Sequence, residues 1–153
     1  MAFATAGSLV IRPAVPSDAA DLQALYADSI VGADWLPDAV RHSPVFSDVS
    51  QGEVIHVAAS AEGQIVGLVS VQAADPFIHH LFVRADSRSA GVGAMLLNSL
   101  KAWLPMPWHL KCVRRNTGAL AFYAGAGWLE VGSGKSADGE YLLLSYDRAP
   151  ASR

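Results

Sequence analysis

The sequence has little of three things: cysteine, charge and long apolar runs. Cys112 is the only cysteine among 153 residues, which excludes an internal disulfide and a thiolate zinc cluster. No stretch of about 18 uninterrupted apolar residues occurs, which excludes a membrane-spanning helix. No basic residue precedes Arg12, so we expect no signal peptide and, with a single thiol, a reducing, cytoplasmic location.

The charge that is present divides unevenly along the chain. Asp and Glu outnumber Lys and Arg by 14 to 11, a net charge of −3, which argues against a general nucleic-acid-binding protein. Residues 84–115 carry six basic residues and one acidic residue, whereas residues 1–75 carry two basic and nine acidic residues. This asymmetry suits a protein that binds a polyanion with its centre and a cation with its N-terminal half, although an ordinary solvated surface has the same appearance.

Apolar periodicity and turn residues predict alternating strands and helices in one domain over residues 1–153. Strands are predicted at 8–12, 53–59, 64–73, 77–83, 108–113, 128–131 and 141–146. Helices are predicted at 17–30, 91–103 and 116–124, with a short helix beginning near Trp35. Residues 132–136 end like a phosphate-binding P-loop, but they lack its first glycine and a following helix, so we interpret them as a hairpin loop. The order predicts a mixed α/β sheet with helices over its faces.

A glycine-containing segment between a strand and a helix is the most informative feature. The strand at 77–83 is followed by a loop and by Arg88-Ser89-Ala90-Gly91-Val92-Gly93, where the helix begins. A helix N-terminus presents unpaired backbone N–H groups and partial positive charge, so it favours a phosphate ligand. The glycines let a ligand approach the backbone, and Arg88 adds a positive charge. The dinucleotide-binding fingerprint does not fit, because Leu96 replaces its third small residue.

A second segment begins at Asn116 and runs to Trp128, with the sequence Asn-Thr-Gly-Ala-Leu-Ala-Phe-Tyr-Ala-Gly-Ala-Gly-Trp. Asn116 is a good N-cap, and Tyr123 lies two helical turns later on the same face. Ala119 between them leaves that face open to a ligand. We expect Phe122 to point elsewhere, toward the core.

Together the two segments resemble the Gcn5-related N-acetyltransferase (GNAT) superfamily, whose signatures are Arg-x-x-Gly-x-Gly and Asn-x-x-Ala-x-x-(Phe/Leu)-Tyr-x-x-x-Gly-(Phe/Trp). The resemblance covers nearly the whole chain. It implies a mixed, mostly antiparallel central sheet of six to seven strands flanked by about four helices. It also implies acetyl-CoA as co-substrate and direct attack by a primary amine in a ternary complex, without a metal.

The acidic N-terminal half favours a small cationic molecule as the acceptor. Acetylation of a protein N-terminus or lysine is the alternative within the same class, and a non-catalytic acyl-CoA-binding sensor is the alternative outside it. We expect no nucleic-acid or membrane partner, and the sequence leaves a homodimer open.

The resemblance assigns cofactor binding to one strand end, one loop with its helix start, and one later helix: Leu81, Phe82, Val83, Arg88, Ser89, Ala90, Gly91, Val92, Gly93, Ala94, Asn116 and Tyr123. A backbone N–H on this strand end, that of Val83, is expected to polarise the acetyl carbonyl. Tyr123 corresponds to the general acid, and a nearby cation such as Arg114 is expected to lower its pKa.

The acceptor side is less defined by the sequence. His79 stands where the family often has Glu or Asp, which makes it a candidate general base and substrate-binding residue. Asp75, Glu53 or a water molecule could serve instead, and simple packing of His79 is equally open. By strand alternation His80 is expected to face the opposite side. Trp35 and Phe46 either line the acceptor pocket or belong to the core.

Overall fold

A seven-stranded sheet organises the chain in the computed structural model, which describes residues 9–34, 36, 38–41, 45–88 and 90–147. The strands are β1 (Val10–Pro13), β2 (Val54–Ala59), β3 (Ile65–Gln72), β4 (Phe77–Val83), β5 (Trp108–Val113), β6 (Leu129–Ser136) and β7 (Gly139–Tyr146). The helices are α1 (Ala19–Val31), α2 (Asp38–Arg41), α3 (Phe46–Val49), α4 (Val92–Ser99) and α5 (Thr117–Gly125). Short 3-10 turns lie at Pro16–Asp18, Ala85–Ser87 and Leu100–Ala102. No described helix is both long enough and apolar enough to cross a membrane.

The sheet has the strand order β1-β2-β3-β4-β5-β7-β6. Every neighbouring pair is antiparallel except β4 and β5, which run parallel and pair only between Phe77 and His109. Beyond that pair the two strands separate, so residues 81–83 have β3 on one edge and no strand of the described chain on the other. The predicted mixed, mostly antiparallel sheet is confirmed, and the parting of β4 and β5 opens it at its centre.

Two apolar cores cover the two faces of the sheet. One packs α1 and α3 against the sheet through side chains such as Leu22, Leu25 and Leu68. The other packs α4 and the start of α5 through side chains that include Leu96 and Trp108, both almost fully buried. This second core supports the start of α4, where the glycine-containing segment ends.

The segment 132–136 lies in β6, so its interpretation as a hairpin loop is wrong. The turn of the β6–β7 hairpin is formed by Ala137 and Asp138. The two glycines of this segment have different surroundings. Gly132 lies where the register against β7 shifts and has room for a Cβ, whereas a Cβ on Gly134 would overlap the Tyr141 ring. Gly134 therefore serves close strand packing rather than a turn.

An ion pair joins β1 to the beginning of α1. Arg12 donates from Nη1 and Nη2 to the carboxylate oxygens of Asp18 at 2.8 and 3.0 Å, and the Val15 N–H donates to Asp18 at 2.8 Å. These hydrogen bonds hold the pKa of Asp18 below its usual range. Asp18 is the N-cap residue of α1, but its side chain makes no cap hydrogen bond because Arg12 and Val15 already bind its carboxylate.

Candidate active site

A first cleft of about 850 Å³ opens between the end of β4 and the beginnings of α4 and α5. All of the predicted cofactor residues line it except Ser89, which lies outside the described residues, and Ala90, which packs against the core. The lining residues predicted from the sequence are Leu81, Phe82, Val83, Arg88, Gly91, Val92, Gly93, Ala94, Asn116 and Tyr123. Two segments far apart in the sequence therefore form one concave surface.

The beginning of α4 supplies backbone donors to this cleft. Gly91 is the N-cap, with φ of 82°, and no side chain caps the helix. The N–H groups of residues 92–94 therefore lack intrahelical acceptors and are available to a ligand. The Arg88 Nε donates to the Val83 carbonyl at 3.4 Å, which holds its cation beside them. The site combines a helix dipole, free N–H donors and a guanidinium, the combination that binds phosphate.

The two glycines of this segment do different work. A Cβ on Gly91 would meet no atom within 4 Å, so its requirement is the left-handed backbone conformation. A Cβ on Gly93 would lie 3.3 Å from Phe122 Cζ. Gly93 therefore admits the Phe122 ring, which the sequence did not indicate.

Phe122 is 37% exposed and lines the first cleft, so its expected position in the core is wrong. Successive helical residues are rotated by about 100°. Because α5 buries Tyr123 at 8% exposure, the preceding side chain turns toward the cleft and Gly93.

Tyr123 lies at the inner wall of the first cleft, and its ring packs edge-on against Trp128 at a centroid distance of 5.6 Å. Burial raises the pKa of Tyr123 well above its usual range, and the neighbouring Cys112 adds to the rise. The expectation that Arg114 lowers this pKa is wrong, because Arg114 extends instead toward Glu140, with Nε 3.7 Å from Oε1. The hydroxyl is therefore protonated throughout the neutral range.

Asn116 caps α5 as predicted, accepting a hydrogen bond at Oδ1 from the Ala119 N–H at 3.2 Å. This bond fixes the side chain at the rim of the first cleft and leaves its NH₂ group as a donor toward a ligand. Arg115, which precedes it, also lines the cleft and adds a second guanidinium that sequence reasoning did not single out.

The backbone of β4 directs two donors at the first cleft. The Arg84 N–H donates to the Val66 carbonyl of β3 at 2.9 Å. Since backbone groups alternate between the two edges of a strand, the N–H groups of Val83 and Leu81 point away from β3 and toward the cleft. This is the edge that the separation of β4 and β5 leaves open.

A second cleft of about 470 Å³ adjoins the other end of β4, with residues 77–80 in its wall. The register between β3 and β4 shifts at this point: Ser70 pairs with His80 and Val71 pairs with Ile78, so His79 is an extra residue in a β-bulge. Because a bulge interrupts strict alternation, His79 and His80 both line the second cleft, and the expected placement of His80 on the opposite side is wrong.

The two histidines have different surroundings. The His80 ring packs against Tyr26 and Phe46 at centroid distances of 5.9 and 5.6 Å, and burial lowers its pKa. The His79 side chain is 40% exposed, and its Nδ1 contacts Oε2 of Glu53. His79 is therefore the more accessible of the two bases.

Phe46, a further predicted substrate-binding residue, lines neither cleft. Phe46 is 4% exposed and packs against Tyr26 at 5.2 Å, as the core interpretation required. The assignment of Phe46 to the acceptor pocket is therefore wrong, and its ring instead packs against the His80 ring within the core. Trp35 lies outside the described residues.

Comparisons with known proteins agree with this geometry. The sequence profile of the acetyltransferase (GNAT) domain matches residues 23–143. Apo YjaB from Escherichia coli superposes with a TM-score of 0.76 at 22% identity, covering 92% of this chain and 99% of that one. YncA of Salmonella typhimurium, a putative acetyltransferase solved with acetyl-CoA, has a TM-score of 0.67 at 15% identity, covering 94% and 97%.

A mutant of the spermidine N-acetyltransferase SpeG from Vibrio cholerae has a TM-score of 0.66 at 13% identity, covering 92% of this chain and 94% of that one. Among curated proteins, no sequence match is found. The family profile spans most of the chain, and the same segment contains both clefts. The chain belongs to the GNAT acetyltransferase family.

Proposed function

We propose that this protein is an N-acetyltransferase that transfers the acetyl group of acetyl-CoA to a primary amine of a small cationic molecule, by direct attack in a ternary complex. One observation carries the proposal: residues 81–83 of β4 line the first cleft and residues 77–80 line the second. An acyl donor in one cleft and an amine in the other would meet along a single strand.

The first cleft fits acetyl-CoA. Its free N–H groups at residues 92–94 and the Arg88 guanidinium suit a pyrophosphate. The open edge of β4 suits the amide-containing pantetheine arm, which can pair with it as an added strand. YncA, a putative acetyltransferase of the same fold, was solved with acetyl-CoA as its cofactor. When bound, acetyl-CoA supplies an acyl group activated as a thioester.

The chain's own groups divide the remaining chemistry. The Val83 N–H is aimed into the first cleft and stabilises negative charge on the carbonyl oxygen. His79 takes a proton from the acceptor ammonium, and Tyr123 gives one to the departing sulfur. The second proton that the nitrogen loses as the amide forms returns Tyr123 to its protonated form. A C–N bond forms and the C–S bond breaks, so that R–NH₃⁺ and acetyl-CoA yield the amide, free CoA thiol and one proton.

The charges around the second cleft favour a cationic acceptor. Asp75 and Asp138 line it, opposed by the single ammonium of Lys111. That ammonium lies over the Tyr141 ring, 4.9 Å from the centroid. A similar fold occurs in SpeG, which is named for spermidine. We expect the protein to act in the cytoplasm, where its buried free thiol, Cys112, stays reduced.

The test is thiol release from acetyl-CoA across three sets of acceptors: polyamines and amino alcohols, amino acids, and peptides with free N-termini or lysines. We expect release with the first set and calorimetric binding of CoA in the absence of acceptor. Turnover with peptides alone would replace the small-molecule acceptor by a protein. CoA binding without turnover in any set would identify an acyl-CoA-binding module, and no binding of CoA would overturn the proposal.

A further inference from the structure

We infer that Glu53 is a positioning residue that acts through His79: its buried carboxylate holds the imidazole in the tautomer whose Nε2 accepts the proton of the acceptor amine. The inference rests on the proposed function. It assigns a role to a residue outside both motifs, brought to the site by the pairing of three neighbouring strands.

The burial of Glu53 is the first observation. Its side chain is 4% exposed, although it carries a carboxylate and lies just before β2. A carboxylate is rarely buried unless both of its oxygens are paired. Here Oε1 accepts a hydrogen bond from Ser70 Oγ, and Oε2 contacts His79 Nδ1. Ser70 is itself fully buried, so the carboxylate is fixed from the side of the core.

The second observation is the β-bulge. Ser70 of β3 pairs with His80 and the next residue pairs with Ile78, which leaves His79 as the extra residue. The bulge directs the His79 ring over Glu53 while 40% of the side chain remains exposed in the second cleft. The pair thus has a buried acidic end and an accessible basic end.

The tautomer follows from hydrogen-bond chemistry. A carboxylate accepts only, so a neutral His79 that bonds to it carries its proton on Nδ1 and its lone pair on Nε2. When Nε2 takes a proton from the substrate ammonium, one N–H bond breaks on the substrate and one forms on the ring. The Glu53 carboxylate stabilises the resulting imidazolium, which later returns the proton to water.

The surroundings of His79 contain further charges that the experiment must hold constant. The other titratable groups around the second cleft are His80 on β4, Asp75 before β4, Lys111 on β5, Asp138 in the β6–β7 turn and Tyr141 on β7. Of these groups, His80 comes nearest in ring contact, with centroids 6.3 Å apart. A substitution at Glu53 replaces none of these residues, but loss of its charge removes an interaction that raises the pKa of His80, so Glu53→Asp, which keeps the charge, is measured beside Glu53→Gln.

The experiment combines NMR with a double-mutant cycle. In the unmodified protein, ¹⁵N-resolved histidine spectra should show the neutral His79 ring with its proton on Nδ1. In Glu53→Gln the preference for this tautomer should be lost. Thiol-release kinetics with an accepted amine should show kcat lowered at least about 10- to 100-fold in Glu53→Gln, the loss seen when a group that orients a metal-ligating histidine is removed. Calorimetric affinity for CoA should not change.

The cycle separates positioning from folding. In the His79→Ala background, Glu53→Gln should have no further effect on kcat, because Glu53 acts only through the ring. Ser70→Ala is the matched control, because it removes the other partner of the same buried carboxylate. It should lower the melting temperature, and it should lower kcat less than Glu53→Gln does. Two results would overturn the inference. One is that Glu53→Gln lowers kcat equally in the presence and absence of His79, and the other is a neutral His79 ring with its proton on Nε2.

Failure of the proposed function would look different. If no amine supports thiol release by the unmodified protein, acetyl transfer is refuted, while the NMR spectrum still decides whether Glu53 sets the tautomer. If Glu53→Gln does not fold, the spectra of the unmodified protein and of Glu53→Asp still test the tautomer. Glu53→Asp keeps the charge and should keep the Nδ1–H tautomer, and loss of the tautomer in it would count against the inference.

Discussion

Replacing Tyr123 by phenylalanine removes one hydroxyl group and keeps the ring that packs against Phe122 and Trp128, at centroid distances of 5.2 and 5.6 Å. Volume-conserving changes of this kind in a core cost less than about 1.5 kcal/mol. The variant should therefore fold and bind CoA as the unmodified protein does. Any loss of turnover then reports on the hydroxyl itself.

The size of that loss follows from the acidity of the hydroxyl. Ordinary thiol and phenol pKa values of about 8.5 and 10 make proton transfer from Tyr to a thiolate uphill by about 2 kcal/mol in water. Burial raises the pKa of Tyr123 further, so it is a weak acid that is always protonated. General acids contribute about 10²- to 10⁴-fold, and a weak one belongs at the low end, so kcat should fall about 100-fold.

Steady-state thiol release at saturating acetyl-CoA measures this loss, and calorimetry with CoA measures binding. Because its raised pKa keeps Tyr123 protonated, its titration should not limit kcat below about pH 10. Tyr146→Phe is the matched control: its ring stacks on Trp108 at 5.3 Å in the same core and lines neither cleft. If Tyr123→Phe keeps kcat within about twofold, the hydroxyl is not the general acid.

Three further changes test the rest of the structure. Arg88→Ala should weaken calorimetric CoA binding about fivefold, as for one exposed ionic contact, whereas Arg84→Ala, whose guanidinium pairs with an acidic neighbour outside the cleft, should not. Gly91→Ala forces a side chain onto φ of 82° and should lower the free energy of unfolding in urea by about 1–2 kcal/mol; no change would refute the strain. Asp18→Asn should lower the free energy of unfolding by about 1–3 kcal/mol at pH 7. Because Arg12 lowers the pKa of Asp18, this contribution is lost as the pH falls through the folded pKa, so unfolding curves of the two proteins should converge below about pH 4.

Local signals predicted the parts of the site that are contiguous in the sequence. The N-cap role of Asn116 and the helix start at Gly91 follow from residue type and spacing alone, and both agree with the structure. The succession of strands and helices along the chain also followed from apolar periodicity and turn residues, and it agrees with the structure. These features need no knowledge of distant contacts.

Features set by tertiary contacts escaped prediction. The contact between Glu53 and His79 depends on a β-bulge that shifts one strand against the next, and alternation has no signal for it. The pKa of Tyr123 was assigned the wrong direction because burial, rather than a neighbouring cation, decides it. The position of Phe122 was predicted wrongly for a related reason. Its ring lies beside Gly93, where the absence of a Cβ leaves room for it, and only the packing of α5 against α4 reveals this contact.

The single backbone pair that joins β4 to β5 also divides the polypeptide. Strands β1–β4 all precede α4 and β5–β7 all follow it, so each half of the sheet forms from consecutive residues and closes its hydrogen bonds within itself. A change of strand length or register in one half therefore does little to the strand pairing of the other, because only one residue pair connects them. Each cleft is lined by β4 from the first half and by residues that follow α4 in the second, so a displacement of one half against the other would alter both clefts at once.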